Sequence, residues 1–398
     1  MLHDEQLNSK KIKLINFISF LIGFSQATVV YVFSTYFKDS SGTENVGIFY
    51  FVAYLFVLIF LLNLHKAVRK LGKSNVFYFS ILAKIVVMVF LILLPPSWYS
   101  IPFLALYMVL VALIWTSLDV ILESFSADKV SGRVRGLHLT IFNAGFLLGP
   151  LVSSQLMSNI GFSGIFLFSL VVDAFVLVFS LIGFRNVNHV FKQKLGVIEV
   201  IRKVFKRKDV MRIYWVSFAL EFFYALMIIY TPIYLLDLGM SWQQIGLIFT
   251  LMLLPFVLIQ YPAGILADKK MGEKELIIFA IVFMVLATLS VFFLNSMSVL
   301  VWGSVLFATR IGAALVEILR DSYFYKRIDG HDVDLINFFR TATPLGYIMA
   351  AIFSSVLLFF LPLKFVFILI ALILFLSLYQ AIKLDDNKCE KEIVKEGE

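Results

Sequence analysis

The sequence predicts an all-α membrane protein in which twelve transmembrane helices form two pseudo-symmetric six-helix bundles. Three observations support this prediction: long apolar segments, basic residues on one side of them, and an internal duplication. Of the 398 residues, 61% are hydrophobic and only 15% are charged, and the mean hydropathy is +0.94. Soluble proteins carry about 25% charged residues, so this composition is typical of a chain surrounded by lipid.

Twelve apolar segments approach or exceed the ~20 residues that a helix needs to cross a bilayer. They are 12–37, 46–64, 74–94, 101–125, 136–157, 162–184, 213–236, 243–266, 275–295, 298–325, 336–361 and 363–383. The segments are long and continuously apolar, whereas the strands of a membrane barrel are short and alternate in polarity, so helices are predicted. The first segment is too long for a cleaved signal peptide and is taken as a membrane helix.

Basic residues mark alternate sides of the predicted helices. The N-terminus, the second and fourth loops and the central loop carry lysine and arginine, whereas the loops after the third, fifth and ninth segments carry none. The positive-inside rule then predicts a multi-pass protein of the cell membrane with both termini in the cytoplasm. Because the net charge of +8 lies in loops, the expected partner is the lipid bilayer and no nucleic acid.

The central loop is the only long connection and sets the predicted domains. These are a six-helix bundle over 1–184, a basic cytoplasmic linker over 185–212, a second bundle over 213–383 and a disordered cytoplasmic tail over 384–398. The linker has apolar residues at helical spacing among its basic residues, which is typical of an interfacial helix. The single cysteine, Cys389, lies in the tail, so no disulfide framework is expected.

Two charged turns, 200 residues apart, reveal the duplication. Residues 67–73 align without a gap with 267–273, so that Gly72 corresponds to Gly272 and Lys70 to Lys270. A period of about half the chain indicates two copies of one unit rather than a short-repeat array.

Six plus six helices, a duplicated half, a basic middle loop and these charged turns together resemble the major facilitator superfamily. Gly264, Asp268, Lys269 and Gly272 are similar to the family's signature loop, with one extra residue between Asp268 and Gly272. The resemblance implies that this loop takes part in gating. In the first half Val68 stands where the family has Asp, so the lock that this Asp provides is not expected there.

Gly145, Gly149 and Pro150 are similar to the fifth-helix motif of the family's drug/proton antiporters. Small residues on one face let two helix backbones approach closely, and a proline permits a kink. The resemblance implies a gating helix of an exporter, and ordinary small-residue packing is the alternative. The equivalent region of the second half, 346–351, keeps small residues but lacks the Gly-Pro pair.

An ionisable side chain inside a span costs ~2.5–3.5 kcal/mol on insertion scales, so it needs a partner or a water-filled cavity. In the resembled fold the first and fourth helices of each half line a central cavity. This placement makes five residues candidates for proton coupling: Glu221, Arg310, Asp119, Glu123 and Glu317.

Glu221 and Arg310 are predicted to face each other near the middle of the membrane, with Glu221 binding and releasing the proton. A static salt bridge is the alternative. Asp119 and Glu123 lie four residues apart on one face, where they either titrate, bind a cation or pair with arginines at an inner gate. Lys84 and Asp173, on peripheral spans, are expected to pair with each other.

Gln26 and Asn143 are candidate hydrogen-bonding partners of a substrate, with polar packing between helices as the alternative. The sequence has no phosphate-binding loop, no metal-ligand spacing and no enzyme signature, so no cofactor, metal or catalytic activity is expected. The prediction is a monomeric secondary transporter that exports a drug-like or metabolite substrate in exchange for H⁺ by alternating access. Uptake of a sugar or organic ion, a non-transporting sensor and a membrane-embedded transferase are the alternatives.

Overall fold

The computed structural model describes residues 9–123, 131–184, 204, 206–267, 272–328 and 333–385. The regular structure in these ranges is helical, and the chain divides into two compact units, residues 1–192 and 193–398. Within the described ranges, twelve helical segments are long and apolar enough to cross a membrane. Each predicted segment overlaps one of them, so the prediction of an all-α membrane protein with twelve spans is confirmed.

The described part of the first unit contains seven helices. They are α1 (Ser9–Val30), α2 (Phe33–Ser41), α3 (Gly47–Leu71), α4 (Lys73–Leu93), α5 (Ile101–Glu123), α6 (Ser131–Asn159) and α7 (Phe162–Gly183). Helix α1 packs mainly against α6 and α7, while α4 packs against α5 and α7. Fully buried apolar side chains such as Ile15, Phe77 and Leu118 fill the space between them.

Eight helices are described in the second unit. They are α8 (Lys208–Asp237), α9 (Trp242–Leu258), α10 (Gln260–Leu266), α11 (Lys274–Phe292), α12 (Val299–Lys326), α13 (Val333–Arg340), α14 (Ala342–Phe360) and α15 (Phe365–Ile382). Helix α8 packs against α14, α15 and α12, and α12 also packs against α9 and α11. Helix α8 begins inside the predicted linker, most of which lies outside the described residues.

Local chemistry explains several helix ends. At the start of α9 the Ser241 hydroxyl accepts a hydrogen bond from the Gln244 amide, and the Gln244 side chain accepts one from the Ser241 amide. The eighth span is interrupted at Ile259, between α9 and α10. Because Pro262 has no N–H group, the Leu258 carbonyl lacks its usual helical donor at this point. The interruption places Gln260 at the start of α10.

The first span is longer than predicted. It runs over Lys11–Ser41 instead of ending at residue 37, and it is interrupted between α1 and α2. Gly42 ends it with φ +72°, and its amide donates to the Lys38 carbonyl at 2.8 Å. Sequence hydropathy stops at the first charged residue, whereas helical hydrogen bonding continues until a glycine adopts the left-handed conformation.

Candidate functional site

A charged cluster lies between α8 and α12 in the second unit. The Nη2 atom of Arg320 lies 3.0 Å from Glu221 Oε1, and only 9% of each side chain is exposed. Arg320 also donates through Nη1 to the Ser217 hydroxyl at 2.7 Å, and its Nε lies 3.3 Å from Asp321 Oδ1. Two side-chain hydrogen bonds and a second carboxylate at ion-pair distance therefore surround the guanidinium group, which offsets the cost of burying its charge within a span.

The predicted pairing of Glu221 with Arg310 is wrong, because the residue bound to Glu221 is Arg320. Arg310 is 2% exposed, and its guanidinium carbon lies 4.8 Å from the ring centre of Phe223 and 5.8 Å from that of Tyr224. These are cation–π distances. Both arginines lie on α12, but they are ten residues apart. At ~100° per residue this separation places Arg320 about 80° around the helix from the face that carries Arg310. The axial offset of α8 and α12 decides which arginine meets Glu221.

Glu317 lies on α12 beside this cluster and is held by neutral groups. Its Oε2 atom accepts hydrogen bonds from the Tyr224 hydroxyl at 3.2 Å and from Gln260 Nε2 at 3.0 Å. Within the described residues no donor bonds to Oε1, and the side chain is partly exposed in its unit. One carboxylate oxygen is thus fixed, and the other is available to a proton or to a donor on a ligand.

Glycine is required where α14 crosses α8. A Cβ built on Gly346 would lie 2.7 Å from Glu221 Cβ and 3.1 Å from its carbonyl carbon. No larger residue fits without moving the backbone that carries Glu221. The small residues that the sequence shows over 346–351 therefore form a helix crossing at the charged cluster.

A second buried ion pair lies in the first unit, where Lys84 Nζ is 2.8 Å from Asp173 Oδ2 and both side chains are almost completely buried. Ser25 donates to Asp173 Oδ1 at 2.9 Å and lies 2.7 Å from the Ser169 hydroxyl. The Lys84 ammonium also lies 5.0 Å from the Tyr107 ring centre. The expected pairing of Lys84 with Asp173 is confirmed, and it joins α4 to α7.

The antiporter-like glycines bring α6 onto α1. A Cβ built on Gly145 would lie 2.2 Å from the Phe20 carbonyl oxygen, and one on Gly149 would lie 2.2 Å from Ala27 Cβ. The predicted close approach of backbones is confirmed, and α6 continues through Pro150. A gating role for this helix stays a prediction.

The two candidate substrate-binding residues lie on the same pair of helices, Gln26 on α1 and Asn143 on α6, and both are partly exposed. Their role in binding a substrate stays a prediction.

The signature-like loop is described only at its ends. Gly264 lies in α10, and among the described residues a Cβ built on it would meet only Ile318 Cγ1, at 3.8 Å. Gly272 has φ +72° and its counterpart Gly72 has φ +88°, so both copies of the turn use a conformation that favours glycine. Two predicted site residues, Asp268 and Lys269, and the side chains of two others, Asp119 and Glu123, lie outside the described residues.

Sequence reasoning missed Ser217 and Tyr224 as members of the charged cluster. The signal was present, because Ser217, Glu221 and Tyr224 are spaced by four and three residues and therefore share one face of α8. In the sequence, Arg320 and Gln260 stand out only as polar residues within or near spans. Their partners depend on how α8, α10 and α12 cross, which the spacing within one helix does not reveal.

The sequence and the fold were compared with known protein families and solved structures. A family model described as Major Facilitator Superfamily matches residues 15–332. The fold is similar to the POT family transporter PepTSo, with a TM-score of 0.73, 12% identity, and 94% of this chain and 97% of that chain covered. It is also similar to an auto-inhibited POT family peptide transporter, with the same score and identity and 94% and 96% coverage.

A third solved structure, the nucleoside transporter NupG, has a TM-score of 0.71 and 15% identity, with 94% of this chain and 99% of that chain covered. No curated protein gives a significant sequence match. At such low identity the solved structures show the fold alone. The family model, however, matches well over half of the residues, and the chain therefore belongs to the major facilitator superfamily.

Proposed function

We propose that the protein is a secondary active transporter that moves a small molecule across the membrane by alternating access, coupled to protons. Membership of a transporter superfamily supports transport. The observation that carries proton coupling is the environment of Glu317: one carboxylate oxygen is held by Tyr224 and Gln260, and the other accepts no bond from the described residues.

Glu317 replaces Glu221 as the proposed proton carrier. Glu221 is bound to the Arg320 guanidinium, and protonating it would leave that buried cation with one less anionic partner. Glu317 is bound by neutral donors, and on gaining a proton at Oε1 it becomes a donor itself while Oε2 still accepts from Tyr224 and Gln260. Protonation thus changes the charge of a span without breaking a salt bridge.

A change of charge within a span shifts the balance between two conformations when they differ in how well they solvate that charge. We propose that loading and unloading Glu317 drives this shift. In this proposal Arg320 and Glu221 form the fixed part of the site. Arg310, ten residues before Arg320 on α12, is a second cation.

We further propose that the direction is export, with H⁺ exchanged for a drug-like or metabolite substrate in a monomer whose termini both lie in the cytoplasm. The antiporter-like spacing of Gly145, Gly149 and Pro150 and the distribution of basic residues support these points. Uptake of a sugar or organic ion is the second candidate, and buried charges on both α8 and α12 favour it over transport of an apolar solute.

The test is proton flux in proteoliposomes loaded with a pH-sensitive dye and challenged with cationic drugs, sugars, organic acids, peptides and nucleosides. The variants are Glu317→Gln and Glu221→Gln, with Glu275→Gln, an exposed carboxylate on α11, as the matched control. A solute-dependent pH change that is lost in Glu317→Gln and kept in Glu275→Gln supports the proposal. If the pH change is lost only in Glu221→Gln, Glu221 and not Glu317 is the proton carrier. If the wild type shows no pH change with any solute of the panel, proton-coupled transport of these solutes is contradicted.

A further inference from the structure

The last described residues of the chain are bound by the ends of the two helices that carry the charged cluster. The hydroxyl of Tyr323, a fully buried residue near the end of α12, donates to the Asp385 carbonyl at 2.7 Å. Arg327 Nη2 donates to the same carbonyl, also at 2.7 Å. Leu384, the preceding residue, is only 1% exposed. The predicted disordered tail therefore begins with two residues that are held in place.

The start of α8 completes this contact. Asp209 Oδ2 lies 3.5 Å from Arg327 Nη1, and Asp209 Oδ1 lies 2.9 Å from Arg212 Nη1. The Asp385 amide donates to Asp209 Oδ1 at 3.4 Å, and Arg212 lies 3.8 Å from the Asp385 carboxylate. We call these five residues, Asp209, Arg212, Tyr323, Arg327 and Asp385, the C-terminal clasp. It joins the start of α8, the end of α12 and the segment after α15.

The bonds of the clasp are suited to opening. The exposed fractions of its charged side chains are 17% for Asp209, 23% for Arg212, 28% for Arg327 and 72% for Asp385. Ion pairs exposed to this degree contribute ~0–1 kcal/mol each and weaken as salt is added. Only the Tyr323 hydroxyl bond is made by a fully buried residue. The clasp thus holds the tail through several weak bonds and one protected bond.

We propose that the clasp is an autoinhibitory contact: when closed it restrains α8 against α12, and when released it lets these helices move and transport accelerates. This inference rests on the proposed function, because α8 and α12 carry Glu221 and Glu317. The two carboxylates lie twelve residues after Asp209 and six before Tyr323, or ~18 Å and ~9 Å along their helices. The restraint therefore acts on the ends of the helices and not on the carboxylates themselves.

Cys389 provides the probe, because it is the single cysteine of the chain and follows Asp385 by four residues. A nitroxide label on Cys389 of the full-length protein in liposomes reports the mobility of the tail by electron paramagnetic resonance. The release variants are Tyr323→Phe and Arg327→Gln, made separately so that a folding defect in one leaves the other. Tyr325→Phe is the matched control. It also removes a tyrosine hydroxyl from α12, but from a residue that is 38% exposed.

We expect the label to be more mobile in both release variants, and in the wild type at high salt, but unchanged in Tyr325→Phe. We also expect solute-dependent proton flux to rise about threefold on release, as when one weak contact is lost. Equal mobility in Tyr323→Phe and Tyr325→Phe overturns the clasp, and unchanged or slower flux with a mobile label overturns its inhibitory role. The mobility of the label does not depend on transport. If the wild type shows no solute-dependent proton flux but the label is more mobile in the release variants, the proposed function is refuted and the clasp is not.

Discussion

Gly346 packs directly on the backbone of Glu221, and the same contact occurs in the first unit between Gly145 and Phe20. The residue numbers repeat, since 346 minus 145 and 221 minus 20 both give 201. The duplicated halves therefore keep one helix crossing, in which a glycine of one helix abuts the backbone of another. The first half has an apolar phenylalanine at this crossing, and the second has the carboxylate that binds Arg320.

Replacing Gly346 with alanine is expected to destabilise the protein by ~1–3 kcal/mol, because the added methyl group would push against the α8 backbone at Glu221. The measurement is the thermal unfolding midpoint of the purified protein in detergent. The control is Gly264→Ala, whose added methyl group meets one side-chain atom at ordinary contact distance. Equal midpoints for the two variants would show that the α8–α14 crossing accommodates a methyl group.

The Glu221–Arg320 pair predicts a strong energetic coupling. Replacing Arg320 alone with glutamine leaves a buried carboxylate without its cation, which costs ~3–5 kcal/mol, whereas replacing both residues with glutamine costs less. A double-mutant cycle on unfolding midpoints measures the difference. We expect the coupling of Glu221 with Arg320 to exceed its coupling with Arg310, and the reverse order would restore the pairing expected from sequence.

The Lys84–Asp173 pair is expected to respond in the same way within the first unit. Lys84→Met should destabilise the protein by ~3–5 kcal/mol, since Asp173 is fully buried and would keep only its Ser25 bond. Lys84→Met combined with Asp173→Leu should recover much of this loss. The control is Lys38→Met, because the Lys38–Glu44 pair is exposed and contributes ~0–1 kcal/mol. Similar losses from the buried and exposed pairs would be inconsistent with burial as the cause.

Glu273 is expected to fix the start of α11. It is fully buried and accepts hydrogen bonds from the Ser322 hydroxyl at 2.8 Å and from the Lys326 ammonium. Its replacement by alanine removes both of these charge-assisted hydrogen bonds from a buried position and should cost ~1–3 kcal/mol. Glu275→Ala, two residues along and exposed, should change stability by less than about 0.5 kcal/mol. Thermal unfolding compares the two, and the idea fails when both have the same midpoint.

The number of spans and the duplication were accessible from sequence because each depends on a local or periodic property. Hydropathy over ~20 residues measures whether a segment can lie in lipid, whatever its neighbours are. The close approach at Gly145 and Gly149 was also predictable, since the absence of side chains on one face permits it in any packing. Span ends were less accessible: the first span continues past its charged residues to Gly42.

The partners of the buried charges were accessible only in part. Lys84 and Asp173 were paired correctly because few other charges lie on the peripheral spans of the first half. Glu221 had two arginines available on one helix, and the sequence contains no measure of the axial offset between α8 and α12.

The sequence by itself thus determined the membrane location, the helical class, the twelve spans, the two-fold repeat and which residues carry charge into lipid. These properties follow from the free energy of transferring each segment out of water, which is nearly a sum over its residues. The tertiary structure decided that Arg320 holds Glu221, that Tyr224 and Gln260 hold Glu317, and that Asp385 is bound between α8 and α12. Such contacts form between helices that are distant along the chain, and a shift of one helical turn would replace each partner with another.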